Sequence, residues 1–300
     1  MSNSGLTVII PAYNYAASLG RAVTSVIPQL SHEDELLIID DGSTDNTAEV
    51  IDALHEQYPR AFKSIYKRNG GLASVRNLGI DTAKNDWLIF LDADDEQAED
   101  ALALIRAHLD SHSDTRMVIG GHRTIDESGR QRVHAPRVLP DSQLARVKGY
   151  LLDKTIAISN GACVMHRSVF EPGNYPEQFR NAEDIPVFAQ VLAVYPVSIL
   201  NQPLAVIHKH SDSLRHDLSY SIKGGVELVD EVFRRLPESL QGLKQPFYIQ
   251  RCLSLFRGAY LSGDRAAAKR FYQLALASDW RTLLKLSYTR KALRVWLGKQ

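Results

Sequence analysis

The chain has 300 residues, of which 44% are hydrophobic and 23% are charged, a composition that supports a buried core and argues against disorder. Its 35 acidic side chains balance its 35 basic ones, so no overall field attracts nucleic acid, and we expect no nucleic-acid partner. The N-terminus lacks a secretion-signal pattern and no stretch is apolar enough to span a membrane, which predicts a cytoplasmic protein.

The first half of the chain alternates short apolar runs with segments of helical periodicity. The apolar runs, each closed by polar residues, cover 6–10, 35–39 and 87–91. The helical segments cover 17–30, 47–58, 72–83 and 99–109. Strands that are apolar on both faces are typical of a buried parallel sheet. The order therefore predicts a doubly wound α/β sheet whose strand carboxyl ends converge on one crevice.

The second half is less regular. A turn at 126–129 is predicted to join two short strands. A helix over 142–152, a strand over 160–165 and a loop over 171–184 follow. Beyond 217 the periodicity is helical almost to the end. We therefore predict a domain over residues 1–217 and a C-terminal helical region over 218–300.

The most unusual stretch is LIFLDADDE, in which an apolar run is followed directly by acidic residues. Asp92 and Asp94 alternate around Ala93 at a predicted strand end, where two oxygens can face one hard divalent cation. An alternative is that Asp94 or Asp95 caps a helix that follows at Gln97. Polar residues also follow the predicted strands over 6–10 and 35–39, which should end at the same crevice. This shared position favours the metal interpretation of Asp92 and Asp94.

Two further motifs fall at or near strand ends. Asp40 and Asp41 open DDGSTD, where a carboxylate could accept hydrogen bonds from a base, although turn and cap chemistry would also explain the motif. Gly70 and Gly71 precede Arg76, a combination that lets backbone approach a ligand and brings a guanidinium to a phosphate or a base.

In this order and at these spacings, VIIPAYN, IIDDGSTDNT, RNGGLASVRNLG and FLDADD resemble the inverting family 2 glycosyltransferases of the GT-A fold. The resemblance covers roughly residues 5–215. It implies a Rossmann-like mixed sheet flanked by helices, which binds a nucleotide-sugar, usually a UDP-sugar.

The resemblance also assigns donor-side roles. The residues implied to bind the donor are Pro11, Tyr13, Asp40, Asp41, Gly71, Arg76, Asp92, Ala93 and Asp94. Among them, Asp92 and Asp94 are implied to hold the ribose and a Mn²⁺ or Mg²⁺ ion on the diphosphate.

Inverting transfer needs a general base for the acceptor hydroxyl. In the family this base is the aspartate of an ED pair, which here matches Glu183 and Asp184, ninety residues after Asp94. We predict Asp184 as the base and Glu183 as its neighbour, although both could simply begin a helix. Many relatives continue the pair with charged residues, whereas here the uncharged stretch 185–190 follows, which puts the usual acceptor contacts in doubt.

A polar cluster, HKHSDSLRH, lies at the boundary of the two predicted parts. By the resemblance, His210 could complete the metal site, and Lys209 or Arg215 could steady the leaving group. A solvated loop is the alternative.

Residues 264–300 carry nine Lys and Arg against two Asp, with Trp280, Tyr288 and Trp296 among them. This pattern is typical of a face lying on an anionic inner-membrane surface, or of a solvated helix packed by its aromatic side. The resemblance as a whole implies a metal-dependent transferase acting on a saccharide or lipid-linked saccharide, and by analogy with the family it implies bacterial lipopolysaccharide or exopolysaccharide assembly. The alternative is a non-catalytic nucleotide-sugar or glycan-binding protein on the same fold.

Overall fold

The computed structural model describes residues 5–209 and 225–297, which fall into two compact units. The first gathers the described residues of Met1–Asp141, Thr155–Glu177 and Val194–His210. The second gathers the described residues of Ser142–Lys154, Gln178–Ala193 and Ser211–Gln300. The boundary predicted at 217 falls outside the described residues and stays a prediction.

The first unit is built on one sheet, to which the described residues contribute nine strands. Its parallel half has the order β3-β2-β1-β4, with strands β1 (Leu6–Ala12), β2 (Glu35–Asp40), β3 (Lys63–Tyr66) and β4 (Trp87–Phe90). Every residue of β1, β2 and β4 is buried, as expected for strands apolar on both faces. Strand β3 was not predicted. It is partly exposed and lies at the sheet edge.

The other half of the sheet is mixed and continues from β4 in the order β8-β6-β9-β5. Its strands are β5 (Glu96–Gln97), β6 (Met117–Ile125), β7 (Gln131–His134), β8 (Cys163–His166) and β9 (Val197–His208). The predicted turn at 126–129 joins β6 to β7, its antiparallel partner. The strand predicted from Asn160 begins only at Cys163, because 160–162 form a 3₁₀ turn.

Four helices cover the sheet of the first unit close to the predicted positions. They are α1 (Leu19–Val26), α2 (Thr47–Gln57), α3 (Leu72–Thr82) and α4 (Ala101–Ser111). Their apolar faces join those of the strands in one core that includes Val8, Ile38, Ile51, Ile89 and Ile105. The mixed sheet flanked by helices confirms the predicted fold class.

The second unit is helical. Its helices are α5 (Gln143–Lys148), α6 (Asp184–Val194) except for its last residue, α7 (Glu227–Arg234), α8 (Lys244–Leu261), α9 (Arg265–Ser278) and α10 (Leu286–Trp296). Helices α8, α9 and α10 share a core around Phe256, Phe271 and Val295. The predicted helical C-terminal region is thereby confirmed for residues 225–297. Within the described ranges, no helix combines the length and apolarity that crossing a bilayer requires.

Candidate nucleotide-sugar site

The loops after β1 and β2 are tied together by Asn14. Its backbone N–H donates to Ser43 Oγ at 2.9 Å, and its Oδ1 accepts from the N–H groups of Thr44 and Asp45 at 2.8 and 3.3 Å. Asn14 has a φ of 60°, a left-handed conformation that asparagine tolerates better than most residues. Tyr13, which directly precedes Asn14 and follows the end of β1, is 44% exposed.

Asp40 closes the turn that follows β2. Its Oδ1 accepts from the backbone N–H of Ser43 at 2.9 Å and from Ser43 Oγ at 2.6 Å. The side chain is buried at the end of the strand. Asp40 Oδ1 thus stabilises the turn, as the alternative interpretation of DDGSTD expected. Contact of Asp40 with a nucleotide stays a prediction.

Asp41 holds the glycine loop in place. Its Oδ1 accepts from Lys67 Nζ at 2.6 Å and from the Gly70 N–H at 2.9 Å, and its Oδ2 accepts from the Gly71 N–H at 2.7 Å. Only 2% of Asp41 is exposed. Gly71 has a φ of 89° directly before α3, a conformation that favours glycine. The paired aspartates and the glycine motif thus form one hydrogen-bonded structure.

Arg76 lies in the second turn of α3 with its guanidinium buried. Its Nη2 is 3.4 Å from Asp92 Oδ1, and its guanidinium carbon is 5.2 Å from the centre of the Tyr175 ring. Tyr175 was not expected at this place, because it comes from the long loop before α6. The structure therefore brings Arg76 to Asp92, the first aspartate of the DxD motif Asp92-Ala93-Asp94, while contact of Arg76 with a phosphate or a base stays a prediction.

The DxD motif follows β4 with alternating burial. The Asp92 side chain is 35% exposed and Asp94 is partly exposed, whereas Ala93 and Asp95 are buried. Asp92 and Asp94 are thus the two carboxylates of the motif that solvent reaches. This is the alternation that the metal interpretation requires.

The structure contradicts the expectation that Asp95 or Asp94 starts a helix at Gln97. Residues Glu96–Gln97 form strand β5, which pairs with β9, and the next helix begins only at Ala101. Asp95 Oδ1 instead accepts from the backbone N–H of His208 at 2.9 Å. The third aspartate therefore fixes the motif to β9.

Tyr15 is a residue that sequence reasoning missed. Its ring packs against the core of the first unit, and its backbone N–H donates to Thr47 Oγ1 at 3.0 Å. Burial raises the pKa of the phenol, and the negative charges of Asp94, Asp92 and Asp95 raise it further. Tyr15 directly follows the quoted PAYN motif, which is the signal that could have revealed it.

The carboxylates of Asp92 and Asp94 fit a hard divalent cation. They supply oxygen ligands, and their negative charges, which add to the effect of burial in raising the pKa of Tyr15, are charges that a cation would neutralise. Among residues 5–209 and 225–297, no group of three or more His, Cys, Asp and Glu side chains is placed to hold a metal alone. A site with two protein ligands, completed by diphosphate and water, is typical of Mg²⁺.

The polar cluster at the end of β9 is described only in part. His208 Nε2 lies 2.6 Å from Glu96 Oε1, and the Lys209 N–H donates to the Ile125 carbonyl at 2.8 Å. The Lys209 side chain is exposed. His210, the predicted third metal ligand, and Arg215 lie outside the described residues.

The predicted base lies in the second unit, at the start of α6. Asp184 is the first residue of the helix, as the alternative interpretation expected, and Glu183 before it is only 5% exposed. Ala182 has a φ of 67°, a strained conformation for an alanine. Because strain of this kind concentrates at functional sites, it supports a role for the adjoining pair.

Known proteins share sequence and fold with this chain. Residues 7–173 match the family described as Glycosyl transferase family 2. The Uncharacterized glycosyltransferase alr2836 of Nostoc sp. is 37% identical over 139 residues, which cover 42% of this chain and 41% of that protein. The chain spans about two fifths of the length of this protein and of a second curated relative, the glycosyltransferase GlyG of Streptococcus pneumoniae.

Two solved structures share the fold at 17% sequence identity. The Staphylococcus aureus TarS fragment 1-349 in complex with UDP aligns with a TM-score of 0.64, over 97% of this chain and 89% of that one. The Pyrobaculum calidifontis mannosyltransferase PcManGT in complex with GDP-Man and Mn²⁺ aligns with a TM-score of 0.55, over 98% and 88%. The match over more than half of the sequence shows that the chain belongs to glycosyl transferase family 2.

Proposed function

We propose that the protein is a metal-dependent inverting glycosyltransferase that moves a sugar from a UDP-sugar to a saccharide or lipid-linked saccharide. The observation that carries the proposal is the alternating exposure of Asp92 and Asp94 at the end of β4, within a family 2 sequence. The UDP held by TarS and the GDP-Man held by PcManGT support a nucleotide-sugar donor.

The donor half of the site has three parts in this proposal. Pro11 and the exposed ring of Tyr13 line the nucleotide beside β1. Asp40 and Asp41 keep the loop after β2 in the shape that receives the base. Gly71 brings backbone close to the donor, and Arg76 orients the Asp92 carboxylate toward the ribose.

Asp94 and Asp92, with Ala93 between them, are the residues that would hold Mn²⁺ or Mg²⁺, and His210 is the proposed third ligand. The ion, when bound, neutralises charge on the diphosphate leaving group. The aspartates keep the ion and the donor on one strand end, so that the anomeric carbon is presented in a fixed orientation.

In the transfer step, we assign Asp184 as general base. Its carboxylate takes the proton of the acceptor hydroxyl while that oxygen attacks the anomeric carbon, and the bond from this carbon to the UDP oxygen breaks. The products are the new glycoside with inverted configuration and UDP. Glu183, which is buried, lies next to the base, directly before the start of α6.

The proposal places the enzyme in bacterial lipopolysaccharide or exopolysaccharide assembly. We further propose a cytoplasmic location, peripheral at the inner membrane, and a catalytic domain over 1–217 followed by a helical region over 218–300. A lipid-linked acceptor would require contact with the bilayer, so the proposed acceptor and the proposed peripheral location support each other.

The test separates binding from chemistry. Thermal stability is measured with a panel of nucleotide sugars, with and without Mn²⁺, because a ligand that binds the folded state raises its apparent stability. UDP release is then measured with a panel of saccharide acceptors. We expect a Mn²⁺-dependent stabilisation by one UDP-sugar and UDP release that depends on an acceptor.

Two variants assign the roles. Asp94→Asn should lose the Mn²⁺-dependent stabilisation. Asp184→Asn should keep it and lose activity by about 10²–10⁴-fold. An active Asp184→Asn would refute the choice of base. Donor binding without UDP release under any acceptor would favour the non-catalytic alternative, and no stabilisation by any UDP-sugar would refute the donor assignment.

A further inference from the structure

The second unit ends in a segment with an unusual surface, Trp280–Leu297, which comprises a 3₁₀ turn and helix α10. Of fourteen large hydrophobic side chains that are exposed among the described residues, seven belong to this segment. They are Trp280, Leu283, Leu284, Leu286, Leu293, Trp296 and Leu297. Soluble proteins seldom gather so many exposed apolar side chains in one short stretch without a binding function.

Trp296 contacts Tyr272 of the core with part of its ring, but the exposed leucines of helix α10 are not needed for that core. Helix α10 already packs through Ala292 and Val295, which are 3% and 5% exposed and belong to the cluster around Phe256. The leucines at 286, 293 and 297 are 62%, 57% and 68% exposed. Their spacing of seven and four residues places them on one face of the helix, away from that core. The helix therefore has a buried apolar face and a second apolar face in solvent.

The same segment carries charge of a single sign. Between Trp280 and Leu297 the sequence contains five basic residues and no Asp or Glu. These are Arg281, Lys285, Arg290, Lys291 and Arg294. The spacing of Arg290 and Arg294 puts them on the face of Leu286, Leu293 and Leu297. A helix that is merely solvated usually mixes both signs of charge along its exposed face.

We infer that Trp280–Leu297 is a membrane-docking surface for an anionic lipid bilayer. The leucine and tryptophan side chains enter the boundary between headgroups and acyl chains, and the arginine and lysine side chains contact lipid phosphates. Helix α10 has eleven residues and is about 16 Å long, so it lies along the surface. The inference rests on the peripheral location proposed above and deepens it, because it names the surface and the lipid charge; it does not depend on the transfer reaction.

A second copy of the chain is a weaker candidate for the occupant. A symmetric pairing brings the same surface of two copies together. The five basic residues of one copy would then face those of the other, with no acidic side chain in Trp280–Leu297 to neutralise them. An anionic bilayer satisfies both the apolar and the cationic side chains.

Vesicle flotation tests the inference without donor or acceptor. The full chain is mixed with vesicles of phosphatidylcholine alone, or of equal parts of phosphatidylcholine and phosphatidylglycerol. We expect flotation with the anionic vesicles, weakened by salt because the cationic contribution is screened. The Asp94→Asn variant should float like the wild type, which separates this inference from the proposed function.

Two variants and one control locate the surface. The variant Leu286→Ser/Leu293→Ser/Leu297→Ser and the variant Arg290→Gln/Arg294→Gln should each lower the partition coefficient by about tenfold or more. All five positions are exposed, so we expect folding to persist, which circular dichroism checks. The control, Val133→Ser with Arg132→Gln on strand β7, changes exposed side chains of the same kinds in the first unit and should leave partitioning unchanged.

Failure of the wild type to float with anionic vesicles would overturn the inference, as would equal flotation of the leucine variant. Sedimentation velocity is run in parallel on the lipid-free protein. A dimer that the leucine substitutions dissociate, together with absent flotation, would assign the surface to a second copy instead.

Discussion

Replacing Asp41 by asparagine should destabilise the first unit strongly, although the two side chains have almost the same shape. Asp41 accepts three hydrogen bonds, from Lys67 Nζ, the Gly70 N–H and the Gly71 N–H, at 2.6, 2.9 and 2.7 Å. It is 2% exposed. Water can therefore replace none of these contacts without opening the loop.

The magnitude follows from the three donors. Asparagine keeps one carbonyl oxygen, which can serve Lys67 and Gly70, but its amide group then faces the Gly71 N–H, donor against donor. A hydrogen bond to a charged group contributes about 1.5–3 kcal/mol, and a buried donor left without an acceptor costs about 1–3 kcal/mol. Lys67 also loses its counter-charge. We expect the free energy of unfolding to fall by about 3–5 kcal/mol.

Urea unfolding measures this change, with Trp87 as the reporter because it lies in β4 of the first unit. The other two tryptophans, Trp280 and Trp296, are exposed and can be replaced by phenylalanine in every variant. Asp110→Asn, on the exposed side of α4, removes the same charge and should change stability by less than about 0.5 kcal/mol. If Asp41→Asn matched this control, the claim that Asp41 holds the glycine loop would be wrong.

Three further predictions concern other parts of the first unit. A Cβ at Gly79 would lie 2.8 Å from Ile9 Cγ2 and 3.0 Å from its Cδ1, so Gly79→Ala should lower the unfolding free energy by about 1–3 kcal/mol in urea unfolding, and an unchanged value would contradict this overpacking. Burial alone would raise the pKa of Asp34, but hydrogen bonds from Ser31, the Leu6 N–H and Arg106 outweigh it and lower the pKa. The stability that this carboxylate contributes is therefore complete above about pH 4 and is lost as pH falls below it, a decline that Asp34→Asn should flatten in acid titrations of unfolding. The charges of Asp94 and Asp92 contribute to the raised pKa of Tyr15, so we expect its phenol to influence a metal held by these carboxylates. Tyr15→Phe should keep the thermal midpoint but raise the Mn²⁺ concentration for half-maximal UDP release by about tenfold. An unchanged Mn²⁺ requirement would refute a role of the phenol in metal binding.

The sequence predicted the parallel half of the sheet because its signals are local. Strands β1, β2 and β4 are apolar on both faces and end at polar residues, so a short window contains the whole pattern. Helix α3 was equally visible, since Gly71 marks its start. The strand ends that carry the DDGS and DxD motifs followed from the same local reasoning.

The parts that sequence reasoning missed depend on distant partners. Strand β5 has two residues and exists because Glu96 and Gln97 pair with Val206 and Ala205 of β9. Its sequence, EQ, carries no strand signal, and the carboxylates before it suggested a helix cap instead. Asp95 contacts His208, 113 residues further along the chain, which no local pattern reports. Strand β3 was missed for a related reason, because an edge strand needs little apolar periodicity.

The two aspartates of the DxD motif have unequal electrostatic surroundings, and this inequality bears on which of them holds the metal. Arg76, whose side chain is 2% exposed, lies 3.4 Å from the Asp92 carboxylate. Arg21, which is 40% exposed, donates to the backbone carbonyl of Asp94. A buried charge is screened less than a solvated one, so Arg76 opposes a metal on Asp92 more strongly than Arg21 opposes one on Asp94. Arg21 is also shared with Glu96, at 3.5 Å, which reduces its effect further. On this comparison of Arg76 with Arg21, we propose Asp94 as the principal metal ligand and Asp92 as a carboxylate that Arg76 orients toward the donor.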